Sequence, residues 1–192
     1  MGSNPTATAT HTWSPVPDVT GVLVLTGPPC SGKSTVGRLL VPALVPVEVD
    51  AIFDRLMPDS DRGREDRLRA YGAAHVLARR LVDAGRQPYL ECTYARRDQR
   101  ASLVDAMAGV PLHVVELSIT ADEALERFAQ REQDTDLTEE TLREKVAAFP
   151  WSDLALRLEP GPPVELAWRI LAWLETAPAP VDAAAWVDAG RD

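Results

Sequence analysis

The chain has 192 residues and a mass of 20.9 kDa, one ordinary domain with length left for tails, and its 45% hydrophobic and 26% charged residues exclude a disordered chain. Its longest apolar stretches, such as Gly21–Leu25 and Pro111–Val115, are strand-sized, and its two cysteines and three histidines fall in no framework or metal-ligand spacing, which argues against a membrane partner, a disulfide scaffold and a zinc site. The net charge of −9 is unevenly spread: residues 55–100 hold eleven arginines against seven acids, a local basic segment that suits a small anionic ligand better than a long nucleic acid.

In chain order, residues 1–19 are rich in Thr, Ala, Ser and Pro without apolar period and read as a mobile tail. They hold no basic run followed by an apolar one, so no secretion signal is inferred and a reducing cytoplasm is the expected compartment. The domain proper is expected over residues 20–175. Val22–Thr26 is almost wholly apolar, as a strand buried on both faces must be. Lys33–Pro42 reads as a helix, and Val45–Val49 as a second strand ending at Asp50. Arg67–Ala84 has helical spacing, with Tyr71, Ala74, Leu77, Ala78 and Leu81 on one face.

A third strand is expected at Pro88–Cys92, a helix at Asp98–Ala108 and a fourth strand at Leu112–Ile119. Asp122–Glu132 follows as a helix capped by Thr120 or Asp122, and Thr138 opens another that runs to about Phe149. Leu154–Leu158 reads as a fifth strand and Val164–Leu174 as an amphipathic last helix. Residues 176–192 look like a second tail, with Trp186 as the residue able to dock back. Strands alternating with helices imply right-handed crossovers and a parallel sheet covered on both faces, so the fold class is α/β.

The segment between the first strand and the first helix carries the strongest motif. Gly27-Pro28-Pro29-Cys30-Ser31-Gly32-Lys33-Ser34 matches G-x-x-x-x-G-K-[ST] in full, and Thr35 follows. Glycines let the backbone bring several N–H groups into one concavity, and the helix N-terminus adds positive potential there. In such a loop the lysine reaches the β- and γ-phosphates and the serine hydroxyl ligates Mg²⁺, so Gly27–Thr35 is read as a site for ATP with Mg²⁺. Cys30, beside those N–H groups, is either a thiol activated by them or an inert space-filler.

The acceptor side of the site is expected at the carboxyl ends of the strands. Asp50, at the end of the second strand, reads either as the general base that takes the proton of an attacking hydroxyl or as a helix N-cap. Glu91 reads either as a holder of Mg²⁺ or its waters or as an ion-pair partner of Arg96 or Arg97. Arg127 and Arg131 lie four apart on one helix face, a like-charge spacing that costs a few tenths of a kcal/mol unless something offsets it. Glu123 offsets part; a triphosphate gaining charge in the transition state offsets more. Arg96, Arg97 and Arg100 read by default as a solvated basic face, with contact to a substrate anion as the alternative.

The order of these segments, from the Gly27–Ser34 loop through Asp50 and Glu91–Arg100 to Glu126–Arg131, resembles the small P-loop kinases of the nucleoside-monophosphate-kinase-like superfamily. The likeness is to the branch of chloramphenicol phosphotransferase, gluconate kinase and polynucleotide 5′-kinases, and covers about residues 21–175. The resemblance implies a three-layer fold with sheet order 2-3-1-4-5 and a small helical lid at about residues 127–148 carrying Arg127 and Arg131. It also implies that Glu159–Pro163 lies against adenine, and that the γ-phosphoryl group of ATP passes to a hydroxyl of a metabolite or antibiotic. Two departures stand out. Polynucleotide kinases of this group carry an arginine three residues after the base, where this chain has Phe53, and Glu91 replaces the more usual aspartate. The alternatives are a polynucleotide 5′-hydroxyl kinase and a non-catalytic ATP-binding regulatory module.

Overall fold

The structure, a computed structural model, describes residues 21–130 and 137–192. Five strands, β1 (Val22–Thr26), β2 (Val45–Glu48), β3 (Pro88–Glu91), β4 (Leu112–Leu117) and β5 (Leu156–Leu158), form one sheet in the order β2-β3-β1-β4-β5. Every pairing is parallel. The expected α/β fold and strand order are those observed. β1 is central because all five of its residues are apolar or small enough to bury completely.

Alternation along β1 distributes the core. Leu23 and Leu25 face one layer with Val36 and Leu40 of α1 (Lys33–Leu40) and Leu166 and Ile170 of α7 (Pro163–Glu175). Val22 and Val24 face the other layer, built on α2 (Val49–Leu56), α3 (Arg64–Asp83), α4 (Arg97–Ala106) and α8 (Ala183–Asp188). A third, smaller core joins α5 (Ala121–Ala129) and α6 (Glu139–Ala147): Ala124, Leu142 and Val146 pack with Ile119 and with Cys30 of the phosphate loop. That contact seats the α5–α6 pair on the loop. Both N-terminal caps of this pair are local in origin, since Thr120 accepts from Glu123 N in a full capping box and Thr138 accepts from Thr141 N.

The structure corrects several sequence expectations. α2 begins at Val49, so Asp50 is neither the last strand residue nor the cap; it occupies the first turn of the helix, where the macrodipole favours a carboxylate. α3 starts at Arg64, one turn before the expected Arg67. β4 stops at Leu117, because Ser118 N leaves the ladder with β1 and donates to Leu158 O.

The larger correction concerns the second tail. α8 lies within it, and Trp186 is fully buried against Tyr94 and Arg100. Val181 N donates to Leu112 O, and Arg191 pairs its backbone with Ala95 O and Arg97 N. One large side chain and three backbone bonds dock a segment whose Ala- and Pro-rich composition carries little other signal. Residues 1–19 lie outside the described residues. No helix among the described residues is long and apolar enough to cross a membrane.

Candidate active site

The phosphate loop turns between β1 and α1 with three residues at positive φ: Gly27 at 148°, Cys30 at 64° and Gly32 at 93°. A Cβ on Gly27 would stand 2.4 Å from Leu117 O, so the close approach of the loop to β4 requires glycine there. Gly32 caps α1 in the left-handed conformation and accepts from Val36 N at 2.9 Å. Lys33 is buried, and its ammonium donates to the carbonyls of Gly27 (3.0 Å) and Pro28 (2.9 Å). Burial pulls its pKa below the ordinary lysine value, and the negative potential of Glu91 opposes that fall more than any other group.

Glu91 closes β3 in register with Leu25 of β1, which brings its carboxylate to the loop. Ser34 Oγ donates to Glu91 Oε1 at 3.0 Å. Burial raises the Glu91 pKa; Lys33 and Ser34 oppose the rise, while Glu48 and Asp50 add to it. Of the two sequence readings, the ion pair with Arg96 or Arg97 is not the one formed: Arg96 meets Asp98 at 3.9 Å, and Arg97 meets Asp188 and Asp192. A serine hydroxyl beside a buried carboxylate is the hard-oxygen donor pair that suits Mg²⁺. Among the described residues no cluster of three or more His, Cys, Asp or Glu side chains is placed to hold a metal.

Arg127, in the last turn of α5, donates from Nη1 to Cys30 O at 3.2 Å and stands 3.7 Å from the position of a Cβ on Gly32. It therefore sits over the phosphate loop. Arg131 lies outside the described residues. Cys30 is 5% exposed and packed between loop and helix pair, which is the space-filling role. Ser31 Oγ is buried without a hydrogen-bond partner among the described residues.

A cavity of about 460 Å³ opens beside the loop, between Pro29, α2, α3 and the segment after β3. Asp50, exposed, faces it together with Phe53, Tyr71 and Cys92. Tyr71 Oη donates to Cys92 Sγ at 2.8 Å, and burial pushes the Cys92 thiol up to about 12, so this sulfur is an inert part of the floor. The wall also carries a group of basic side chains, Arg62, Arg67, Arg96 and Arg191 among them. Arg62 and Arg191 were missed from sequence: the first lies in the turn before α3, with its guanidinium 5.1 Å over the Phe53 ring, and the second in the docked C-terminal segment.

Arg100 departs most from expectation. It is fully buried, donates to the carbonyls of Tyr94, Trp186 and Pro150 at 2.8 Å each, and stacks over the Trp186 ring. A helix-start arginine with that many acceptors is a brace, and burial brings its pKa down to about 10.

A family profile described as an AAA domain matches residues 22–150, more than half of the chain. The chain belongs to that AAA-domain family. Its matched span runs from β1 through the phosphate loop to the end of α6 and includes Asp50, Glu91 and Arg127. No curated protein sequence matches it. Solved structures give the fold. An unliganded sugar kinase from Janibacter is 20% identical with a TM-score of 0.63, over 86% of this chain and 98% of that one. A gluconokinase from Sinorhizobium meliloti is 20% identical with a TM-score of 0.61, over 82% and 95%. The Mycobacterium tuberculosis APS kinase, in complex with AMPPNP and APS, is 21% identical with a TM-score of 0.63, over 81% and 98%. This AAA-domain protein thus has the α/β P-loop fold of the branch its motifs resemble.

Proposed function

We propose that the chain is an ATP-dependent phosphotransferase acting on a hydroxyl of a small molecule, with Asp50 as general base. One observation carries the reading: the phosphate loop and an exposed carboxylate in the first turn of α2 border the same cavity. Lys33, Gly27–Thr35 and Arg127 bind and neutralise the triphosphate. An acceptor hydroxyl in the cavity gives its proton to Asp50 as its oxygen attacks the γ-phosphorus. The new P–O bond forms as the bond to the β,γ-bridging oxygen breaks, and ADP keeps that oxygen. Ser34 and Glu91 would hold Mg²⁺ or its waters, and the bound ion supplies charge stabilisation at the β- and γ-oxygens. Residues 127–148 act as the lid, with Arg131 beside Arg127 in function, over a kinase domain that begins at about residue 20 and takes in the docked C-terminal segment. The working compartment is the cytoplasm, where ATP is supplied and the two buried thiols stay reduced.

The test is transfer from γ-labelled ATP with Mg²⁺ to a panel of hydroxylated metabolites and antibiotics, with a 5′-hydroxyl oligonucleotide alongside. Label is expected on a small molecule, with kcat falling about 10²–10⁴-fold in Asp50→Asn and the melting temperature unchanged. Label on the oligonucleotide alone overturns the small-molecule reading. Label undiminished in Asp50→Asn removes the base. Tight ATP binding without transfer to any acceptor favours a regulatory module.

A further inference from the structure

We propose that the acceptor is an anion as well as an alcohol: a small hydroxylated compound bearing a phosphate, sulfate or carboxylate group, held by a basic wall that includes Arg191 of the docked C-terminal segment. The proposal rests on the kinase reading and narrows its substrate class.

The wall is assembled from elements far apart in sequence. Arg62 and Arg67 come from the start of α3 and the turn before it, Arg96 from the N-cap of α4, and Arg191 from the second-last position of the chain. Arg62 is paired with Asp54, and Arg64 with Asp98 at 2.6 Å. Arg96 shares Asp98 only at 3.9 Å, and its Nε is buried with no hydrogen-bond partner among the described residues. Arg67 donates from Nε to Arg62 O, which fixes the base of its fork. Against these cations the cavity sets the carboxylates of Asp50 and Asp98, and Asp98 already serves Arg64 and Arg96.

Arg191 is brought there deliberately by the backbone. It forms a parallel bridge with Arg96, its N donating to Ala95 O at 3.0 Å and its O accepting from Arg97 N at 2.7 Å, while its side chain is exposed at the cavity. Trp186, buried five residues earlier, anchors the segment. Two guanidinium groups on bridge partners thus line one cavity, and an anion bound there is attracted to both. The planar fork of arginine matches the oxygens of carboxylate, sulfate or phosphate, and Phe53 and Tyr71 supply apolar surface for the carbon skeleton.

Calorimetry on the full chain tests this. The phosphate loop is first saturated with AMPPNP and Mg²⁺, and sodium sulfate is then titrated at constant ionic strength made up with chloride. Sulfate is expected to bind once per chain, with affinity reduced at least about fivefold in Arg191→Gln and again in Arg96→Gln, while AMPPNP affinity stays that of wild type. Arg191→Gln keeps the fold because its docking bonds are made by backbone. Among matched acceptors, glycerol 3-phosphate and gluconate should then be preferred over glycerol and sorbitol. Absence of sulfate binding with AMPPNP in place, or binding indifferent to both substitutions, overturns the proposal. Displacement of sulfate by a 5′-hydroxyl oligonucleotide at micromolar concentration overturns the small-molecule assignment. Failure to bind AMPPNP at all, or sulfate binding without transfer to any acceptor, would instead count against the kinase reading.

Discussion

The two strands that flank β1 each bring a buried glutamate level with its carboxyl end, and the two glutamates do different work. Glu91 of β3 lies opposite Leu25, and Glu116 of β4 lies opposite Thr26. Burial raises the pKa of both. Glu116, however, is enclosed by protein partners: Ser152 N donates to both of its oxygens, and Arg157 meets it at 3.5 Å. Arg100, the other cation acting on it, is itself satisfied by three carbonyls. Glu91 takes one hydrogen bond from Ser34 and shares the field of Lys33, whose ammonium donates to two loop carbonyls. A buried charge fully answered by protein holds the fold together. One answered by a lysine ammonium and a single hydroxyl can exchange those partners for a ligand.

Substitutions on the two flanks should therefore separate activity from stability. The largest effect is expected for Lys33→Met, which should lower phosphoryl transfer by about 10³-fold or more without lowering the melting temperature, because burial already disfavours the lysine charge. A loss of fold in that variant would erase the contrast. Next, Arg100→Met should cost about 3–5 kcal/mol in urea denaturation, since three buried carbonyls and Glu116 lose their donor or countercharge. Transfer per folded molecule should remain within a few-fold of wild type. Marked loss of turnover with stability intact would move Arg100 into the site.

The smallest and sharpest test is Glu91→Gln. Burial holds its folded pKa above the ordinary glutamate value, so the native chain holds the proton more tightly than the unfolded one. Stability is then full below the unfolded value and is lost as pH rises through the raised folded value. Glutamine removes that slope, so the variant should melt higher than wild type at neutral pH and equally at pH 4. Transfer should fall about 10–100-fold, as for loss of a group that orients a metal or its waters. Equal melting at both pH values would show that Glu91 is not strained by burial.

Legibility of the sequence followed the range of the interactions. The phosphate loop and the caps at Thr120 and Thr138 were readable because each depends on neighbours within a few residues or on a complete motif, whereas the strand order was available only as what the family resemblance implies. Asp50 was placed near the right point but on the wrong element, since a one-residue change of helix start leaves no periodic trace. Arg100 and Arg191 were unreadable: the same residue type is a solvated charge, a buried brace or a cavity wall according to what lies 50 to 96 residues away in the chain.

By itself, then, the sequence determined the α/β fold and the place where a nucleotide's phosphates belong, because hydrophobic period and a glycine-rich turn are local properties of the chain. Only the tertiary structure decided which charges are spent on the fold and which face the cavity. A guanidinium or carboxylate acquires its role from the acceptors and dielectric around it, and those are supplied by segments distant in sequence.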